Sequence, residues 1–255
     1  MEAVASIAVR RVTARTLARV FWRSLFLQAA WNPRGMQNLG FAHSIAPALA
    51  ELYPDRAERA RAAARHLEFF NCHPYMAAAI LGGAVRLEER VAAGEAQPAA
   101  ISAFKTTLGP PLAALGDGFF WLALRPTAAL AAAVTAPFLG LGCILVFLAL
   151  YNAVHLAARI WLFVEGYRRA EGIVEVLGRA HFASGTPLLK AAGAVLAGAL
   201  AGQSVMAAGL PFRPLHALLA AVTVVGAYAA LPRLLATRAV YIALLLGLAL
   251  GARFF

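Results

Sequence analysis

The sequence predicts an all-α integral membrane protein, in which amphipathic or re-entrant helices come first and several transmembrane helices follow. Of its 255 residues, 62% are hydrophobic, whereas soluble domains average roughly half. Residues 127–164 contain one charged side chain, Arg159, and all 12 acidic residues lie at or before Glu175. We therefore expect one integral domain with two regions: residues 1–126, which carry the polar motifs, and residues 127–255, which carry the transmembrane helices.

The first predicted helix has one basic face and one apolar face. Arginines recur at every fourth position, which keeps them on about one third of a helix surface. Such a helix suits an anionic membrane surface, and docking onto a protein partner is the alternative. Because the arginines interrupt any apolar core near the N-terminus, we expect no signal peptide and a cytoplasmic N-terminus. The basic face carries Arg11, Arg15, Arg19 and Arg23, and the apolar face carries Leu17, Phe21 and Leu25.

Three further helices are predicted before residue 116, and the last two of them are too polar to span a bilayer alone. Asp55, which follows a proline, supplies a helix start. Pro74 is expected to stop this helix, which is predicted to run to Phe70, because proline forbids helical geometry in the residue before it. Two further helices are predicted over residues 76–92 and 98–115.

The apolar half is predicted to contain several spans. Residues 127–164 exceed the roughly 20 residues that one span needs. They form either one long span that continues into a buried helix or a hairpin broken at residues 137–142. Further apolar stretches cover residues 188–210, 215–231 and 240–250.

Carboxamides cluster in a loop between the first two apolar segments. Asn32, Gln37 and Asn38 offer donors and acceptors that suit the hydroxyls of a sugar. The alternative is that these amides satisfy the backbone at helix ends in a buried turn.

A second cluster contains His66, Asn71 and His73. No nearby carboxylate completes a zinc set with these histidines and Cys72, so no metal site and no cofactor are predicted. We interpret Asn71 and His73 as hydrogen-bonding groups that face a pore or a partner, with helix termination as the alternative.

Polar groups also interrupt the more apolar part of the chain. Asp117 precedes Gly-Phe-Phe-Trp and suits a cap for the next helix, with a coupling or substrate role as the alternative. Asn152, His155 and Arg159 share one helix face by their spacing. Buried polar groups cost several kcal/mol unless they are paired, so this face should meet protein or water. A contact with a partner subunit is the first interpretation and a substrate path the second.

The net charge of +11 favours contact with anionic lipid rather than with nucleic acid, because the sequence has no RNA-binding or zinc-finger pattern. The sequence also lacks a phosphate-binding loop, a dinucleotide fingerprint and a nucleophile elbow. We therefore expect no catalysis by this chain alone.

Ordered motifs across residues 20–180 resemble the IID membrane subunit of the mannose-family sugar phosphotransferase system (PTS). They begin with WNPRGMQNLG at residues 31–40 and FFNCHPYM at residues 69–76. GDGFFW, LRP, YNAVHL and EGYR follow, starting at residues 116, 124, 151 and 165. Beyond residue 180 the likeness is a hydrophobic profile.

The resemblance implies a IIC membrane partner and cytosolic IIA and IIB proteins, whose histidines relay phosphate to a hexose as it crosses the bacterial inner membrane. This chain would then be a non-catalytic, multi-pass subunit in a higher oligomer of IIC–IID pairs. Its loops at residues 32–38 and 71–75 would line the cytoplasmic vestibule or receive IIB.

The chain departs from the family at residues 207–218, where members usually carry a longer polar excursion. A regulatory or sensory complex without efficient transport is therefore an alternative. Two rivals from other classes are a stand-alone membrane enzyme that uses His66 and His73, and a scaffold whose basic helices recruit cytosolic proteins.

Overall fold

The computed structural model describes residues 11–180 and 182–207, and every regular element within these ranges is helical. The helical class predicted from the sequence is confirmed. The α-helices described are α1 (Ala14–Ser24), α2 (Asn38–Leu52), α3 (Arg56–His66), α4 (Ala77–Ala92), α5 (Pro98–Gly116), α6 (Arg125–Leu139), α7 (Cys143–Arg169), α8 (Ile173–Arg179) and α9 (Phe182–Ala207).

Helix α1 is the predicted basic helix and packs against α2. Thr13 caps its start, since its hydroxyl accepts from the Thr16 N–H at 3.3 Å. The backbone N–H and the hydroxyl of Thr13 also donate to Glu51 near the end of α2, at 2.9 and 3.1 Å. These contacts fix α1 along α2.

Helix α3 begins where the sequence predicts it but ends early. The Asp55 side chain accepts from the Glu58 N–H at 2.8 Å and caps the first turn. The helix ends at His66, so the predictions that it reaches Phe70 and that Pro74 stops it are wrong. The physical reason is that the backbone of Phe70 is hydrogen-bonded to the loop that precedes α2.

Helix α4 forms the centre of the described core and packs against α2, α5 and α7. Its residues from Ala77 to Val85 are all buried. A Cβ on Gly82 would collide with the Phe163 carbonyl of α7, and one on Gly166 would collide with the Ala79 carbonyl of α4. The absence of side chains at both positions therefore allows the close crossing of α4 and α7.

Helices α5 and α6 are joined by a π-helical segment, Asp117–Leu124, without an intervening loop. The prediction that Asp117 caps a new helix is wrong, because it lies within helical backbone and makes no capping hydrogen bond. The wider π turn carries Phe120 and Trp121, whose rings both contact His73.

Helices α6 and α7 pack against each other as a hairpin. The chain reverses at a short 3₁₀ turn, Gly140–Gly142, where Gly140 adopts φ +52°. A side chain is strained in this left-handed region, whereas glycine enters it freely. Of the two alternatives for residues 127–164, the hairpin is confirmed.

One helical stretch in the described part of the chain, Pro98–Leu200, is long and apolar enough to cross a membrane. Its most apolar window of 18 residues has mean hydropathy 2.3 and is not buried inside the chain. The number of spans predicted from the sequence stays a prediction.

Contacts divide the chain into residues 1–198 and residues 199–255. Of the second unit, the structure describes only the end of α9. The predicted apolar stretches at residues 215–231 and 240–250 lie outside the described residues. The predicted division into residues 1–126 and a transmembrane remainder stays a prediction.

Candidate functional site

Two polar loops that are distant in sequence meet in the fold, and we call residues 32–38 and 67–73 the loop junction. Met36, with φ +57°, forms an antiparallel β-bridge with Asn32 and a parallel β-bridge with Phe70. The Gln37 N–H donates to the Phe70 carbonyl at 2.9 Å, and the Phe70 N–H donates to the Gly35 carbonyl at 3.3 Å. The two main sequence motifs therefore form one structural unit.

Gln37 joins the loops through its side chain and is 3% exposed. Its Nε2 donates to the Cys72 carbonyl at 2.8 Å, and its Oε1 accepts from the Cys72 N–H at 3.1 Å. Both ends of this amide satisfy buried backbone groups.

Asn32 and Asn38 brace the same turn and are half-buried. Asn32 Nδ2 donates to Asn38 Oδ1 at 3.1 Å, while Asn32 Oδ1 accepts from the Gly35 N–H at 2.8 Å. Asn38 Nδ2 donates to the Leu67 carbonyl at 2.6 Å. The amides that sequence reasoning offered to a sugar thus hold the loop junction in shape, and their role in substrate binding stays a prediction.

The other two candidates in this part of the chain have opposite environments. Asn71 is exposed, whereas His73 is 1% exposed and lies between aromatic rings. Its ring stacks on Phe120 with a centroid distance of 5.1 Å, and Trp121 packs beside it at 4.8 Å. The structure therefore offers Asn71 to solvent or a partner and encloses His73.

His73 is held in its neutral form. Burial lowers its pKa to about 4, with a smaller contribution from nearby Arg159 and His155. Its Nδ1 accepts from the Tyr75 N–H at 3.3 Å, so Nε2 carries the proton, and this buried atom has no hydrogen-bond partner within the described residues. Because Nδ1 already accepts from Tyr75, this neutral imidazole has only its Nε2–H left to offer.

Tyr75 connects this histidine to the predicted polar face of α7. We call His73, Tyr75, Tyr151, His155 and Arg159 the imidazole cluster. The His155 ring stacks on Tyr75 with a centroid distance of 4.4 Å, and the hydroxyls of Tyr75 and Tyr151 are 3.0 Å apart. His155 also bonds through Nε2 to a side chain of its own helix, at 2.8 Å from Asn152 Oδ1.

Arg159 carries a buried positive charge into this cluster and is 5% exposed. It donates to the Ser24 carbonyl at the end of α1 and lies 5.8 Å above the centroid of the Tyr75 ring. A carbonyl at a helix C-terminus attracts a cation. Within the described residues, however, no carboxylate pairs with Arg159, and its Nε lacks a partner.

A second buried polar group was not predicted from the sequence, and we call it the carboxylate network. Glu88 of α4 is fully buried and accepts from Arg65 Nε and Nη2, at 2.7 and 2.9 Å. His66 Nε2 and the Tyr53 hydroxyl each lie 2.7 Å from its remaining acceptor sites. Lys105 Nζ donates to the Arg65 carbonyl at 2.9 Å.

The charges of this network follow from its contacts. Burial alone would raise the pKa of Glu88, but hydrogen bonds from Arg65, His66 and Tyr53 outweigh it and lower the pKa to about 2. Burial also lowers the pKa of His66 against the pull of Glu88. The network therefore consists of an Arg65–Glu88 ion pair with a neutral histidine beside it.

His66 and His73 belong to different clusters, since His66 bonds Glu88 and His73 stacks on Phe120. Within the described ranges, no three His, Cys, Asp or Glu side chains are grouped to hold a metal ion. Sequence reasoning did not identify Glu88, because two adjacent acids between Leu87 and Arg90 are typical of a solvent-facing helix.

The family follows from the whole chain. The model of the PTS system mannose/fructose/sorbose family IID component matches residues 11–247. The chain belongs to this family. The match confirms the resemblance seen in the polar motifs and makes this IID chain a membrane component of a phosphotransferase system.

Named IID components of other bacteria are similar to this IID chain. It is 42% identical over 172 residues to the mannose-specific EIID component of Escherichia coli K12, an alignment that covers 66% of this chain and 60% of the relative. It is 34% identical over 169 residues to the fructose permease IID component of Bacillus subtilis 168, covering 66% and 62%. The chain thus spans about 60% of the length of these relatives.

Two solved structures have the same fold. The complex of the mannose transporter ManYZ with microcin E492, solved by cryo-electron microscopy, contains a chain with 39% identity and a TM-score of 0.61, covering 75% of this chain and 70% of that one. A second structure, described only as a membrane protein, gives 40% identity and a TM-score of 0.67 over 75% and 71%.

Proposed function

We propose that this IID chain pairs with a IIC subunit in a mannose-type permease, which moves a hexose across the bacterial inner membrane as IIA and IIB phosphorylate it. The observation that carries the proposal is the family match over residues 11–247. Its identity of 39% to a chain of the ManYZ transporter supports it.

The subunit itself is non-catalytic in this proposal. The two histidines on which the enzymatic rival depends, His66 and His73, are enclosed, at 0% and 1% exposure. A phosphoryl donor would need direct access to an imidazole nitrogen. The energy of transport instead comes from phosphorylation of the sugar by the partner proteins.

We assign the candidate residues to three surfaces. Asn32, Gln37, Asn38, Asn71 and His73 shape the vestibule that receives the sugar or IIB. The α7 face and Asp117 support the contact with IIC, and the basic face of α1 lies on the membrane surface. The N-terminus is cytoplasmic, the chain crosses the membrane several times, and IIC–IID pairs form a higher oligomer.

The test is phosphorylation of a hexose that depends on phosphoenolpyruvate. Membranes that contain this chain and its IIC partner, supplied with IIA and IIB, are expected to convert mannose, fructose or sorbose to the sugar phosphate. Omission of the IID chain should abolish the activity. Equal activity without this chain would contradict the proposal, and phosphorylation without uptake would identify a sensory complex instead.

A further inference from the structure

An open groove of about 1120 Å³ lies along α1 and contains four arginines. Arg15, Arg19 and Arg23 line it from α1, and Arg59 lines it from α3. Small or compact side chains of α1 and α2, such as Ala18 and Pro47, leave the space between them. The groove is therefore formed by three helices and is more than the basic face of one.

The charges of these arginines are not balanced within the described lining of the groove. Carboxylates are missing from the groove lining, and none of its arginines forms an ion pair within the described residues. The acids adjacent to the lining have other contacts, since Glu51 accepts from the N–H and hydroxyl of Thr13 and Asp55 caps the first turn of α3. Four guanidinium groups around one space therefore create a positive potential that attracts an anion.

The arginines are spaced to hold an elongated anion. Arg15, Arg19 and Arg23 follow at four-residue steps, and each step advances about 6 Å along the helix. Arg59 is positioned by its own Nη1, which donates to the Tyr53 and Pro54 carbonyls at 3.2 and 3.4 Å. Its remaining donors, together with those of α1, match the paired oxygens of a phosphate.

An aromatic side chain accompanies the arginines. Trp22 also lines the groove and is 64% exposed. Exposed tryptophan beside arginine is typical of the boundary between lipid and water. A phosphate that is attached to an apolar chain would satisfy both kinds of lining.

We propose that this groove binds the phosphodiester headgroup of an anionic phospholipid. Arg19 and Arg59 hold the phosphate from opposite helices, Arg15 and Arg23 extend the basic wall, and Trp22 packs on the glycerol and the first methylenes. The site deepens and rests on the proposal that the basic face of α1 lies on the membrane surface, and it does not depend on sugar transport. Sugar phosphorylation and lipid retention are measured separately, so the failure of one is distinguishable from the failure of the other.

The test is native mass spectrometry of the full-length chain in a non-ionic detergent with added dioleoyl phosphatidylglycerol or dioleoyl phosphatidylcholine. The chain is expected to retain phosphatidylglycerol about tenfold better. The Arg19→Gln/Arg59→Gln variant should lose at least about tenfold in phosphatidylglycerol affinity, because each basic residue near a lipid surface contributes about fivefold. The matched control is Arg56→Gln/Arg61→Gln, which removes the same charge from exposed positions of α3 outside the groove.

A second variant guards against misfolding. The Arg19 side chain is exposed and forms no ion pair in the described part of the chain, so Arg19→Gln alone should fold normally and lose about fivefold.

Four results would overturn the proposal. The first is equal retention of both lipids, and the second is an equal loss of phosphatidylglycerol in the control variant. The third is displacement of the lipid by millimolar inorganic phosphate. The fourth is unchanged lipid retention in Arg19→Gln/Arg59→Gln while that variant no longer binds a cytosolic PTS protein. The third result would indicate a site for free phosphate, and the fourth a protein-docking surface.

Discussion

The carboxylate network and the imidazole cluster are both buried, but their charges are balanced differently. Arg65 is neutralised by Glu88, which accepts four hydrogen bonds. Arg159 is instead stabilised by a carbonyl and an aromatic ring, and its Nε has no partner in the described chain. The first region therefore completes its electrostatics within the chain, and the second does not.

The surfaces around these regions differ in the same way. The α6–α7 hairpin exposes large apolar side chains at and near its turn, with Phe138 at 78% and Leu141 at 85% exposure. A contiguous apolar surface of this kind marks contact with lipid or another protein. The comparison teaches that the carboxylate network is satisfied by residues of α2–α4 and their loops, whereas the outer face of the hairpin and the cluster beside it need a lipid or subunit environment.

The largest expected effect comes from removal of the negative charge in the network. Glu88→Gln leaves the half-buried Arg65 without its counterion, so the free energy of unfolding should fall by about 3 kcal/mol, the lower end of the cost of breaking a buried ion pair. Chemical unfolding of the purified protein in detergent measures it. Glu95→Gln removes an exposed carboxylate and should change stability by less than about 0.5 kcal/mol. Equal effects of the two variants would show that the network is not the stabilising core.

The next effect concerns the loop junction. Gln37→Leu leaves the N–H and carbonyl of Cys72 buried without partners, at a cost of about 2–4 kcal/mol in the free energy of unfolding. Gln28→Leu, at an exposed position, is the matched control and should be nearly neutral. If Gln37→Leu is as stable as the wild type, the junction does not depend on this amide.

A pH titration tests the buried histidines of both regions. The pKa of His73 falls to about 4 in the folded chain, so the unfolded state binds the proton more tightly. The contribution of neutral His73 to the free energy of unfolding is therefore fully present above pH 6.5. It is lost as the pH falls towards 4, by up to about 3 kcal/mol. His66, whose pKa is also lowered, acts in the same direction. Thermal unfolding across this range measures the decline.

The histidine contributions can be assigned with variants. His73→Phe preserves the stacking on Phe120 and should reduce the decline, while His43→Phe at an exposed position should preserve the wild-type profile. An unchanged decline in His73→Phe would assign all of it to other groups.

The smallest effect is predicted for Arg159→Met. Loss of the bond to the Ser24 carbonyl is offset by removal of a buried cation that has no carboxylate partner, so stability should change by less than about 1 kcal/mol. Arg65→Met is the matched comparison and should cost several times more, because it leaves Glu88 uncompensated. Similar losses of unfolding free energy in detergent would remove the distinction between the two regions.

Local signals in the sequence identified much of the fold. The repeat of Arg15, Arg19 and Arg23 marked α1, Asp55 marked the start of α3, and the glycines near residue 140 marked one form of the hairpin. The end of α3 was missed because the pairing between Met36 and Phe70 is non-local. Such pairing depends on the tertiary fold rather than on the residues adjacent to Phe70.

The candidate site was predictable only in part. The motifs that contain Asn71 and His73 were recognised, and the fold brings them next to the loop of Gln37. The same reasoning placed Asp117 at a helix start, because Gly-Asp-Gly resembles a break and local rules do not foresee a π segment. Glu88 escaped notice because a carboxylate is buried only when distant partners neutralise it.

The most direct test of the central claim is affinity purification of the tagged full-length chain from its native membranes, with its partners identified by mass spectrometry. The account predicts that a IIC subunit is recovered in stoichiometric amount, because the exposed apolar hairpin and the incompletely paired cluster require the surface of a second membrane protein. Recovery of the chain as a water-soluble monomer without IIC would contradict it.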